Sequence, residues 1–91
     1  MSGDGQRGGK TDQMRQLAGR FRTDSGQIQG LIKSLDSDTT NSQPIWQGPA
    51  AERFRGDWSS VKPTMDKLVH ALDEAAQAID RNAQAIDAAT S

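Results

Sequence analysis

The stretch Phe54-Arg55-Gly56-Asp57-Trp58-Ser59-Ser60-Val61-Lys62-Pro63-Thr64-Met65-Asp66-Lys67-Leu68-Val69-His70-Ala71-Leu72 decides the fold. Its large apolar residues fall at Phe54, Trp58, Val61, Met65, Leu68 and Leu72, and the series continues through Ala75, Ile79, Asn82, Ile86 and Ala89. The gaps alternate between four and three for five heptads. A helix brings such positions onto one face, whereas a strand needs apolar residues at every second position. Pro49 stands where this helix should begin, because its missing N–H and fixed φ suit the first helical position. Pro63 lies on the outer side of the stripe, which keeps its phase across it, so a local bend rather than a break is expected.

A second stripe precedes this one. Met14, Leu17, Phe21, Ile28, Leu31 and Leu35 follow the same three-four rhythm, with Asp24 in the one slot that is not apolar. Thr11 is a plausible N-cap and Asp12 suits the positive helix end. Gly19, Gly26 and Gly30 each weaken the helix by roughly 1 kcal/mol relative to Ala, so it needs a partner to pack on. Residues 36–45, Asp-Ser-Asp-Thr-Thr-Asn-Ser-Gln-Pro-Ile, hold the turn formers that end a helix, and Pro44 forbids simple continuation.

The expected organisation is a disordered Gly-rich leader over 1–10 and a helical hairpin over 11–91. Within the hairpin a helix of about 11–37 leads through a turn at 38–48 into a helix of about 49–89. At 1.5 Å per residue the helices are roughly 38 and 60 Å long, so the second should overhang the first. A hairpin covers only one side of each stripe, and chains this small often need a partner to bury enough surface. The fold class is therefore all-α: an antiparallel two-helix hairpin pairing into a dimeric four-helix bundle. The expected hairpin and dimer core is Leu17, Phe21, Ile28, Leu31, Leu35, Phe54, Trp58, Val61, Met65, Leu68, Leu72 and Ile79.

The junction reads Trp46-Gln47-Gly48-Pro49-Ala50-Ala51-Glu52-Arg53-Phe54. A Trp in an inter-helix turn invites burial in the notch between helices, and Gly two residues on permits a tight backbone approach. A Trp-x-Gly midway along a chain of this length, between two heptad helices and followed by Phe54 and Trp58, resembles the WXG family. These are the small helical-hairpin proteins related to the early secreted antigen (ESAT) of mycobacteria. The architecture matches from about residue 11 to 89, and the motif itself from Trp46 to Trp58.

The resemblance implies a substrate of type VII secretion in actinobacteria or other Gram-positive bacteria. It implies homo- or heterodimeric bundles that leave the cell folded, from a cytoplasmic pool, without a cleaved signal peptide. The implied partners are the chain itself or a WXG homologue, and the type VII secretion ATPase. The family's export signal pairs the Trp-x-Gly turn of one subunit with a Tyr-x-x-x-Asp/Glu motif of its partner. Trp46 and Gly48 carry over, but the chain has no Tyr. The nearest substitute is His70 with Glu74, four apart and off the stripe. A related His-based pattern in some Gram-positive members continues to an apolar residue and a second His, where this chain has Gln77 and Arg81. Either another subunit supplies the signal, or His70 and Glu74 are a divergent version of it.

Composition narrows the remaining classes. Leu, Ile, Val and Phe make up about 15% of the chain, below the ~20% at which disorder becomes a concern. The net charge of −1 argues the other way. With no Cys and one His, neither a thiolate nucleophile nor a Cys-based or multi-His metal site is expected. The expectations are no enzyme, no cofactor and no metal. Near-balanced charge gives no reason to expect nucleic acid; Arg15, Arg20, Arg22 and Lys33 are interrupted by Asp12, Asp24 and Asp36. No apolar run reaches the ~18 residues of a membrane span, so stable membrane insertion is not expected. Residues 1–10 do not read as a classical signal peptide, so any export should take another route. Ser34-Leu35 does not make a phosphopantetheine site, since Lys33 precedes it. Asn82 on the stripe reads as a register-fixing polar residue. A different-class alternative is a cytosolic helical adaptor or chaperone that pairs with the leader of a larger toxin.

Overall fold

The computed structural model describes residues 2–90, with side chains from Gly9 onward. Two helices, α1 (Ser2–Asn41) and α2 (Pro49–Thr90), fold back on one another as an antiparallel hairpin. The rod measures 65 × 19 × 15 Å. The first helix thus begins well before residue 11, and the backbone of the Gly-rich leader is helical from Ser2. Once a helix is nucleated, each further residue adds a backbone bond for little cost, which lets weak residues continue it. Side chains of residues 1–8 lie outside the described residues. This extension corrects two expectations. Thr11 is not a cap but a buried residue inside α1, and α2 does not overhang, because the helices have 40 and 42 residues. Pro63 leaves α2 unbroken; it is exposed, as is Ser59, whose carbonyl loses a helical donor and is open to water.

The seam between the helices is offset from the one the apolar stripe predicts. On α1 the buried positions are Thr11, Ala18, Ser25, Ile32 and Thr39, spaced by seven. On α2 they are Ala51, Trp58, Val69, Ala76 and Ala83. Small residues dominate both sets, which lets the backbones approach closely. Ile32, Trp58 and Val69 form the apolar cluster, with Ile28 and Met65 packed against it.

The expected core therefore divides. Trp58 is buried, and Phe21, Ile28, Met65, Leu72 and Ile79 are half-buried. Leu17, Leu31, Leu35, Phe54, Val61 and Leu68 are exposed and take no part in the hairpin core. Each helix carries an apolar band three rows wide rather than two. The middle row and one flank face the other helix, and the second flank faces outward. Ile32 (5% exposed) and Val69 (4%) turn in, while their neighbours Leu31 (62%) and Leu68 (43%) turn out. Asp24 and Asn82 lie on the same outward flank and are exposed.

Polar bonds fix the register on either side of the seam. Arg15 donates to Asp87 at 2.5 Å and Arg22 to Asp80 at 2.6 Å near the open end. Toward the turn, the Trp58 indole N–H donates to Asp36 at 3.0 Å, and the ammonium of Lys62 lies 3.6 Å from the same carboxylate. Among the described residues, no buried side-chain nitrogen or oxygen lacks a partner.

Candidate functional site at the hairpin tip

Residues 42–48 connect the helices. The Ser42 carbonyl accepts the N–H groups of Ile45 (3.0 Å) and Trp46 (2.8 Å), winding the chain tightly off the end of α1. Gly48 has φ of +112°, a conformation that L side chains rarely adopt. Its carbonyl accepts the Glu52 N–H at 3.0 Å, the first bond of α2, and Pro49 follows at the position where its missing N–H costs nothing. Gly48 is thus required by backbone conformation. Close approach does not require it, since an added Cβ would meet nothing within 4 Å.

Trp46 is not tucked into the notch between the helices. It is 42% exposed and packs on the start of α2. Its ring centroid lies 6.1 Å from that of Phe54, tilted by 42°, and the Arg55 guanidinium carbon sits 5.9 Å from its centroid. Arg55 occupies the notch instead. It donates to the Ser42 hydroxyl at 3.2 and 3.1 Å and to the Trp46 carbonyl, so one guanidinium ties the end of α1, the turn and α2 together. With Ile45 at 84% exposure beside it, Trp46 belongs to an apolar patch at the tip that runs into Phe54 and the outward flank. Sequence reasoning missed Arg55; its place within the first two turns after Pro49 was the available signal.

His70 and Glu74 are both exposed on α2, and no hydrogen bond or ion pair joins them among the described residues. They lie far along the rod from Trp46. Arg15 is held ionised more firmly than usual, chiefly by its bond to Asp87. Among the described residues no cluster of His, Asp or Glu is placed to hold a metal ion, and no helix is long and apolar enough to cross a membrane.

A Trp-x-Gly turn thus joins two long helices of 40 and 42 residues. The family described as proteins of 100 residues with WXG, WXG100, matches residues 10–89. The chain belongs to the WXG100 family. The hairpin of this WXG100 protein is similar to solved EsxA of Geobacillus thermodenitrificans, crystal form I, with a TM-score of 0.83. The two are 24% identical over 88% of each chain, a likeness of fold. No curated protein matches the chain.

Proposed function

We propose that this WXG100 protein is a non-enzymatic, ESAT-like substrate of a type VII secretion system, exported folded as a dimer. The observation that carries this reading is the tip. A rigid turn, set by Gly48 and clamped by Arg55, presents Trp46 at 42% exposure, where burial would have stabilised the hairpin more. A large indole held half in water at a fixed angle suits recognition by another protein. In this reading Trp46 and Gly48 are read by the secretion ATPase, and His70 and Glu74 supply the second part of the signal. The protein passes from a cytoplasmic pool to the outside. The dimer covers Leu17, Leu31, Leu35, Phe54, Val61 and Leu68, which a single hairpin leaves exposed.

The test is secretion of Trp46→Ala from a host with a type VII system. The variant is expected to keep its helicity and dimer mass and to accumulate in cells rather than medium. Unchanged export overturns the recognition role of the tip. Wild-type protein retained in the cytosol unless a larger toxin is co-expressed would instead favour the adaptor reading. Normal secretion of a His70→Ala, Glu74→Ala double variant removes that pair from the signal.

A further inference from the structure

The end of α1 lacks a cation of its own, and α2 supplies one. No basic residue stands in the last turn of α1, while Asp38 lies in that turn and Asp36 just before it. A helix C-terminus carries partial negative charge and open carbonyls, so a cation is favoured there. The Arg55 guanidinium meets that need from across the connection. It donates to the Trp46 carbonyl and to the Ser42 hydroxyl, whose own proton goes to the Thr39 carbonyl at 2.6 Å. We propose that Arg55 is the positioning residue for Trp46: by filling the notch between the helices it holds the indole outside, where a partner protein can take it. The inference rests on the reading of Trp46 as the recognised group and names what sets its exposure.

Indole and guanidinium compete for the same space. A tryptophan in a turn between two helices gains by sinking into the notch, because burial removes its large apolar surface from water. Beside Arg55 a cleft of about 400 Å³ opens between the helices, lined in part by Thr39, Thr40, Gln43, Trp58 and Ser59. Arg55 lines this cleft and Trp46 does not, so the guanidinium stands between the ring and the space that would receive it.

Two further restraints come from the same group. Its bond to the Trp46 carbonyl fixes the peptide from which the ring springs. Its carbon lies 5.9 Å from the ring centroid, within reach of cation–π attraction. All three influences vanish together when the guanidinium is removed, whereas the gain from burying the indole remains. The side chain of Arg53, two residues earlier, gives the contrast. It is exposed and makes no hydrogen bond or ion pair among the described residues.

Acrylamide quenching of tryptophan emission reads the position of the ring directly. The quencher is uncharged, so losing a cation does not bias it. Trp58 is 8% exposed and adds a small background, which Trp46→Phe measures alone. Arg55→Ala is expected to keep the helicity and mass of the wild type and to lower the Trp46 quenching constant several-fold, toward that of Trp58. Export should fall with it. Arg53→Ala removes the same charge nearby and should change neither quenching nor export. A clamp that only held the fold together would lower the melting temperature and leave quenching of the folded chain as it was. Unchanged or increased quenching in folded Arg55→Ala therefore overturns the proposal. If that variant loses helicity, Ser42→Ala takes its place, because it removes the acceptor of two guanidinium bonds without touching α2; quenching that does not fall there overturns the proposal equally. Quenching that falls while export continues upholds the positioning role and overturns recognition through Trp46, so the two readings fail separately.

Discussion

At the scale of single residues, Gly48 and Gly26 make opposite predictions from the same side-chain change. Gly48 sits at φ of +112° with open space where a Cβ would go, so Gly48→Ala suffers conformational strain and no clash. Left-handed backbone costs a non-glycine residue about 1–2 kcal/mol, and chemical denaturation should register a loss of that order. Gly26 lies in α1 on the side away from both the seam and the outward flank, again with nothing within 4 Å of an added Cβ. Gly26→Ala should stabilise the fold by about 1 kcal/mol, through helix propensity and a less flexible unfolded chain. If the two substitutions shift the denaturation midpoint in the same direction, the account of the turn at Gly48 is wrong. Trp58 illustrates how polar and apolar roles combine in one ring. Its body fills the core beside Ile32 and Val69, while its N–H satisfies one Asp36 oxygen and Lys62 approaches the other.

At the scale of the element, each helix presents an inner and an outer flank, and adjacent residues on them should behave differently. Ile32→Ala removes a buried side chain and should cost about 2–5 kcal/mol at every protein concentration. Leu31→Ala removes an exposed one and should alter only the concentration dependence of the melting temperature. Equal effects at high dilution would contradict the two-flank assignment. The Arg22–Asp80 pair is half-exposed, so Arg22→Gln should lower stability slightly in dilute salt and not at all in high salt, where screening has already removed the attraction. These elements also show what was legible in the sequence. The unbroken heptads from Phe54 onward declared α2, and the Trp46–Gly48 turn declared the junction. The seam was not legible from large residues alone, because the hairpin buries alanines, Ser25 and Thr11 where close approach matters more than side-chain volume. The doublets Leu31-Ile32 and Leu68-Val69 held the missing information, since two adjacent apolar residues on a helix cannot face one partner. The placement of Trp46 was misjudged for a related reason. Nothing in the order of residues told that the Arg55 guanidinium, offering several donors to Ser42 and the turn carbonyl, would fill the notch first.

At the scale of the whole molecule, a rod of 65 × 19 × 15 Å built from two helices has a small interior, so much of its stability is tied to what covers the outward flank. Leu68 tests this coupling, because it is exposed in the hairpin and lies on the flank that the dimer is proposed to cover. Leu68→Lys leaves the seam between α1 and α2 untouched, so no intrachain contact of the core is lost. In the dimer it strands an ammonium group in an apolar layer, at a cost of several kcal/mol. Light scattering should then report a single chain mass, and circular dichroism a loss of helicity as the uncovered hairpin melts. Leu68→Glu should do the same by itself. Leu68→Met, which keeps the row apolar at similar volume, should leave dimer mass and helicity unchanged. An intact Leu68→Met dimer beside a monomeric Leu68→Lys chain separates loss of the apolar layer from a general intolerance of change at this position. A Leu68→Lys chain that stays dimeric and helical would show that the flank is covered some other way.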